Sequence, residues 1–279
     1  KYKGKYMQGY EEIRKARFEK QKEIGLIDEN YKLSDSTYTP WSKLSDEKKT
    51  EEDLKMAVYA AMIERMDWNI GRVLKKVREL NEERNTLILF VSDNGASAEV
   101  VNIPGYGPIG SMTRWTSLGP DWANVGNTPF RYFKNYSYEG GIRTPMIACW
   151  PEGIKDPGRI SNFPGHFIDF MATFVDITSA EYPDSIHDQM VYPMEGLSLL
   201  PIFKGEDKPA RNKPVYWQWA RGSAYLNNGW KIVKQGNDSK WELYNMRIDP
   251  TETYNLAPEH PEKVDSMAGA FESWKMNYE

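Results

Sequence analysis

The run TLILFVSDNG, Thr86 to Gly95, constrains this chain more than any other stretch. It opens on uninterrupted apolar residues and closes on two oxygen-bearing side chains and a glycine. An apolar run of this length, with Ile and Val in it, predicts a strand over 86–92 buried on both faces, as in an α/β sheet. Ligands of open α/β sheets bind just beyond the carboxyl ends of such strands. Asp93 and Asn94 stand at that position. A carboxylate beside a carboxamide offers hard oxygens, which suit Ca²⁺ or Mg²⁺ rather than a soft metal. Asp-Asn-Gly is equally a good turn sequence. Spacing alone leaves both readings open, a cation site and a strand-end turn.

The totals narrow the class. A chain of 279 residues holds one large domain or two smaller ones. Its formal net charge of −4, with no basic block, argues against a nucleic-acid footprint. No apolar run approaches the roughly 20 residues of a membrane helix. The opening residues KYKGK lack the apolar core of a signal peptide. The single cysteine, Cys149, excludes an internal disulfide. Lying at the end of an apolar run, it is expected to be an ordinary buried residue.

Residues 4–24 read as a charged helix ending at Gly25. Ser45 is placed to cap a second helix, with Asp46 and Glu47 in its first turn. That helix runs to about Asn81. Met56, Tyr59, Met62, Ile63, Met66, Ile70, Val73, Leu74 and Val77 give it one apolar face, expected to be core. At ~1.5 Å per residue it would be roughly 50 Å long, so a bend or break near Gly71 is expected. The segment after Gly95 is rich in Gly, Pro and Trp. Trp115, Trp122 and Phe130 argue that it is ordered, and residues 96–129 are expected to wall a site. A strand over 143–149 and a helix over 167–178 follow. Pro201 to Pro214 reads as a connector, dividing the chain into 1–205 and 206–279. Four short alternating runs beyond it predict a small antiparallel sheet, closed by a helix over 260–277.

A second candidate cluster is FRYFKNYSYEGGIRTP, Phe130 to Pro145. Gly140 and Gly141 allow close backbone approach or positive φ. Lys134 and Arg143 are either anion contacts or solvated cations beside a turn.

Taken together, these segments resemble the type I sulfatases, the arylsulfatase family of the alkaline-phosphatase superfamily. LILFVSDNG is similar to the family's metal-binding strand end. NTPFR through EGGIRTP, Asn127 to Pro145, resembles its substrate-lysine segment. WKIV at Trp230 and WELYNMRIDPTETYNLA at Trp241 resemble its C-terminal signature. The resemblance implies an alkaline-phosphatase-like mixed sheet flanked by helices, plus the small C-terminal antiparallel sheet with its helix. It also implies hydrolysis of sulfate esters, aryl or glycan, by a formylglycine hydrate. Ca²⁺, with Mg²⁺ as the alternative, would be bound by Asp93 and Asn94. Lys134 would contact the sulfate and assist the leaving oxygen. Export to the periplasm or the medium is a further expectation.

Departures from the family pattern are plain. Neither C-x-P-S-R nor S-x-P-S-R, the source of formylglycine, occurs in these residues. The resemblance therefore casts the chain as the C-terminal part of a sulfatase, inactive and poorly soluble or partly molten by itself. Tyr138 stands where many relatives carry His, which leaves the leaving-group contacts open. His166 resembles a structural helix start, and His187 and His260 are expected at the surface. The same superfamily offers a phosphodiesterase or phosphonate monoester hydrolase as the alternative enzyme. A non-catalytic sulfated-glycan-binding remnant is the alternative outside catalysis.

Overall fold

The computed structural model describes residues 1–206 and 211–278. The charged middle of the expected connector, 207–210, lies outside the described residues. In order, the helices are α1 (Tyr10–Glu23), α2 (Asp46–Glu79), α3 (Gly119–Gly126), α4 (Glu139–Ile142), α5 (Ile168–Thr178), α6 (Leu200–Phe203) and α7 (Pro261–Lys275). The strands are β1 (Ile88–Val91), β2 (Met146–Cys149), β3 (Ser185–Ile186), β4 (Gln189–Met190), β5 (Val215–Trp219), β6 (Gly222–Asn227), β7 (Trp230–Gln235) and β8 (Glu242–Asn245). The result is a mixed α/β fold with small sheets: β1 beside β2, the hairpin β3–β4, and the four-stranded sheet β5-β6-β7-β8. Among the described residues no helix is long and apolar enough to cross a membrane.

The chain divides into two compact units. The first comprises Lys1–Lys76, Val91–Met146 and Tyr216–Glu279, and it carries every candidate site residue. Its C-terminal sheet explains itself through register. Tyr225 lies opposite Ile232, and Ile232 opposite Leu243. All three are buried with Met267 and Phe271 of α7. Alternation sends Val233 and its partner Ala224 to the other face, with Tyr244, which lies opposite Lys231, and there they pack on Tyr138. One face of the sheet therefore holds a helix, and the other holds the segment that bears Lys134.

At the other end of this unit, Trp122 of α3 is 1% exposed and packs edge-on against Tyr10 of α1 at 4.7 Å. Its indole N–H donates to the Glu52 carbonyl of α2 at 3.2 Å. Ser45 caps α2 as expected, accepting the Lys48 N–H at 3.2 Å.

The second unit, Val77–Phe90 and Ile147–Val215, is centred on Asp169 in the first turn of α5. The buried Asp169 carboxylate takes both ends of Arg211, at 2.7 and 3.1 Å. It also accepts the His166 and Leu197 backbone N–H groups, each at 2.8 Å. A bidentate guanidinium and two amides satisfy a carboxylate that would otherwise be costly to bury. His166 is thus a helix-start residue, its imidazole pushed down in pKa by burial.

Four expectations need correction. First, α2 is an unbroken helix of 34 residues, and Gly71 does not interrupt it. One exposed glycine costs a helix only about 1 kcal/mol, too little to break it. Second, its apolar stripe is not core along its length. Met56 packs at the Tyr10–Trp122 cluster, but Met62 is 63% and Val73 64% exposed. Periodicity reveals an apolar face, not what covers it. Third, β1 is not buried on both faces. It pairs with β2, its residues are half-buried, and Phe90 is exposed. Fourth, Cys149 is exposed, because β2 alternates half-buried and exposed positions and ends on an exposed one.

The open stripe of α2 has a direct consequence. A polypeptide of these 279 residues should bind a fluorescent hydrophobic dye in its native state, since contiguous exposed apolar surface is unusual on a soluble monomer. Met62→Glu with Val73→Lys should lower that signal by about half without lowering helix content by circular dichroism. Unchanged dye binding would show that the stripe is covered.

Candidate active site

Asp93 and Asn94 follow β1 by one residue, and the turn they make is held by backbone. The Gly95 N–H donates to the Gly141 carbonyl at 2.9 Å. The Lys134 N–H donates to the Ala96 carbonyl at 3.1 Å. Asn127 bridges the two segments, with Oδ1 accepting the Ala96 N–H at 2.9 Å and Nδ2 donating to the Tyr132 carbonyl at 3.0 Å. The stretches TLILFVSDNG and NTPFR–EGGIRTP, far apart in sequence, thus form one junction.

The glycines of both stretches follow from how closely these backbones approach. A Cβ on Gly95 would lie 1.8 Å from the Gly140 carbonyl oxygen. A Cβ on Gly141 would lie 1.9 Å from the Tyr136 carbonyl oxygen. Neither position admits a side chain.

Within the junction Asp93 is exposed and Asn94 half-buried. The Asn94 Nδ2 is spent on the Gly95 carbonyl at 2.8 Å, which leaves Oδ1 as the free end of the amide. Among the described residues no group of three or more His, Cys, Asp or Glu side chains is placed to hold a metal. The strand end offers two hard oxygens, too few by themselves to fill the coordination shell of a hard cation.

Lys134 is a third exposed, and its ammonium pairs with Glu99 Oε2 at 3.2 Å. Glu99 also accepts from Asn135 Nδ2 at 3.5 Å and from the Ser97 hydroxyl at 3.1 Å. Lys134 first, then Ser97 and Asn135, hold the Glu99 carboxyl below its usual range. Arg143 is not an open cation. It pairs with Glu139 at 3.5 Å and donates to the Tyr31 hydroxyl at 2.8 Å, with its guanidinium over the Phe130 ring at 4.8 Å.

Tyr138 is buried against the sheet, with Arg131 over its ring at 4.7 Å. Burial and then Glu242 push its phenol far up, so it stays protonated near neutral pH. Trp122, expected to wall a site, is core. Trp115 is exposed.

Sequence reasoning missed the group beneath the junction. The Lys231 ammonium on β7 is fully buried and lies 2.7 Å from both Glu139 and Glu252. Glu252 also accepts the Glu139 backbone N–H at 2.8 Å, at the start of α4. The signal was visible: Lys231 interrupts the apolar run of WKIV, and Glu252 sits in DPTETYNLA. Two carboxylates share one ammonium, and Arg143 helps only Glu139. Glu139 therefore stays ionised, with its pKa lowered by its cations against the cost of burial. Burial pushes Glu252 up to about 7, and the neighbouring Glu139 charge adds to that.

Comparison with known proteins identifies the class. A family model described as Sulfatase matches residues 3–180. A second, described as N-sulphoglucosamine sulphohydrolase, C-terminal, matches residues 129–270. The chain belongs to the sulfatase family.

Among particular relatives, an uncharacterized sulfatase of Schizosaccharomyces pombe is 31% identical, with 96% of this chain and 52% of that protein covered. The arylsulfatase of Klebsiella aerogenes is 32% identical, over 72% of this chain and 46% of that protein. A solved structure in complex with its substrate D-glucosamine-2-N,6-O-disulfate shares the fold with a TM-score of 0.57. It is 23% identical, over 85% of this chain and 44% of that one. The chain spans about half the length of the curated relatives it matches.

The Glu252 carboxyl gives a signed pH dependence. Its pKa lies above the ordinary 4.5, so between pH 4.5 and about 7 the folded state binds more protons than the unfolded. Its contribution to stability is complete below that window and lost as pH rises through it, at up to about 1.4 kcal/mol per pH unit. Denaturant titrations at several pH values should show the stability gap between wild type and Glu252→Gln shrinking from pH 4.5 to 7. A gap that widens would overturn this assignment.

Proposed function

We propose that this chain supplies the cation-holding strand end and the anion-contacting lysine of a sulfate-ester hydrolase, which yields an alcohol and inorganic sulfate. The observation that carries this reading is the junction that stitches Gly95 and Ala96 to Gly141 and Lys134. It brings two hard-oxygen donors, which would hold a cation, and an ammonium onto neighbouring backbone, which suits the tetrahedral monoanionic head of a sulfate ester.

Asp93 and Asn94 would hold Ca²⁺, with Mg²⁺ as the alternative. Both donors are oxygen, and the exposed Asp93 carboxylate has no partner among the described residues. Bound there, the cation supplies positive charge to the sulfate oxygens and lowers the pKa of the attacking oxygen. Lys134 supplies a fixed cation toward the bridging oxygen, where negative charge grows as the S–O bond breaks. The attacking group implied by the family is a formylglycine hydrate, and none of these residues is assigned that role. Substrates are aryl sulfates or sulfated glycans, a reading supported by the arylsulfatase relative and the disulfated glucosamine complex. By the same family likeness the protein acts in the periplasm or outside the cell, which fractionation of the source cells tests.

Asn94 weighs against the phosphodiesterase and phosphonate alternative. An amide oxygen suits Ca²⁺, whereas the histidine common there suits Zn or Mn. The deciding experiment compares an aryl sulfate with an aryl phosphate diester, using the full-length, matured protein with Ca²⁺. Sulfate turnover should dominate, stop on chelation and return with Ca²⁺. Asp93→Ala and Lys134→Ala should each lower kcat/KM by about 10²–10³-fold, the usual effect of removing one preorganised charge stabiliser. Dominant turnover of the phosphate diester would reverse the assignment.

Glu99 competes with substrate for Lys134. Glu99→Gln should tighten inhibition by inorganic sulfate about two- to fivefold, the range for an exposed ion pair. Weaker inhibition would mean that Glu99 orients the lysine instead.

A further inference from the structure

Trp219, at the end of β5, is 67% exposed. A single exposed aromatic is ordinary on a protein surface. This one differs in where its only polar atom goes. The indole N–H donates to Asn135 Oδ1 at 3.0 Å, and Asn135 directly follows Lys134. Asn135 is itself fixed on three sides. Its amide nitrogen reaches Glu99, its carbonyl accepts from Gln235 Nε2 at 3.2 Å, and its backbone holds φ +76°. Trp219, Asn135, Glu99 and Lys134 thus form one hydrogen-bonded chain along the surface, and no ring contact among the described residues covers the indole.

An indole anchored at its edge, with an open apolar face, has given up its rotamer freedom before any ligand arrives. The polar groups it is tied to are amides: Asn135, which takes its N–H, and Gln235, which donates to the Asn135 carbonyl. An apolar face with a polar rim matches a pyranose ring, which presents C–H bonds on one face and hydroxyls at its edge.

Resting on the sulfatase reading above, we propose that Trp219 is a specificity-determining residue that stacks on the sugar ring of a sulfated glycan whose sulfate lies at Lys134. Stacking that covers on the order of 60 Å² of apolar surface corresponds to about tenfold in affinity. The same stacking is unavailable to a substrate that lacks a ring.

The test uses the full-length protein with three probes: a sulfated hexosamine disaccharide, methyl sulfate and inorganic sulfate. Calorimetry gives Kd, and steady-state rates give KM and kcat. Trp219→Ala should raise Kd and KM for the disaccharide about tenfold and leave methyl sulfate and inorganic sulfate unchanged. Trp219→Phe, which keeps a ring, should recover most of the loss. An aryl sulfate run in parallel separates sugar from aryl preference, and a larger loss there would overturn the sugar assignment. Equal losses for all three probes would show that Trp219 acts only by propping Asn135, which also overturns the proposal. Disaccharide affinity unchanged in both variants would overturn it outright. A wild-type protein that binds the disaccharide yet hydrolyses no sulfate ester would refute the sulfatase reading instead, while the Kd series still tests the stacking.

Discussion

The buried ammonium of Lys231 is the contact on which the candidate site depends. An isolated charge at that depth would be very costly, and the cost is offset only because Glu139 and Glu252 each approach to 2.7 Å. Those partners come from different places. Glu252 follows β8, and Glu139 opens α4. The ion cluster therefore fixes where α4 begins relative to the C-terminal sheet. Two residues later Gly141 accepts the Gly95 N–H, and Gly95 follows Asn94 and Asp93. The path from a buried lysine to two exposed oxygen donors is short and consists of bonds with little freedom.

Close packing gives this path its rigidity. The glycines at 95, 140 and 141 let three backbone segments meet at distances that any side chain would forbid. The aromatic layer of Tyr132, Tyr136 and Tyr138 then fills the space against the sheet, with Tyr132 and Tyr136 stacked at 4.4 Å. A candidate site on a loop is normally less well defined than one on a helix or strand. Here the loop behaves like a strand, because its hydrogen bonds go to another chain segment rather than to water.

Much of this was legible in the sequence, and the limits have physical causes. Alternating apolar residues located all four strands of the C-terminal sheet, because one face of each meets a helix and the other a loop. Ser45 and Gly25 marked helix ends through local backbone chemistry. The strand-end carboxylate and amide were singled out because they close an apolar run, and the structure places them just beyond the end of β1. What failed was coverage. The stripe on α2 and the run at β1 are apolar by composition, yet burial is a property of the partner surface, and a linear pattern holds no partner. The Lys231 cluster went unread, although its residues stand out in the sequence, for a related reason. A lysine within a strand reads as an outward residue, unless its two carboxylates, at 139 and 252, are already known to be neighbours.

The electrostatics of the junction bear on how a substrate is chosen. Lys134 faces solvent with Glu99 at 3.2 Å, and Arg143 is taken up by Glu139 and Tyr31. The local positive charge that this chain presents to an anion is therefore modest, in a molecule whose formal net charge is −4. Long-range attraction is screened within ~10 Å at ordinary salt, so it cannot do the selecting. For the proposed activity, selection would then fall on contacts made only after arrival: oxygen donors at the strand end, an ammonium whose partner can be displaced, and whatever meets the organic half of the ester. An anion head common to many esters gives no discrimination by itself, since every candidate carries it. Under the proposed sulfatase reading, specificity resides in surfaces beside the head, and the proposed surface is the open indole joined to the lysine segment through one asparagine.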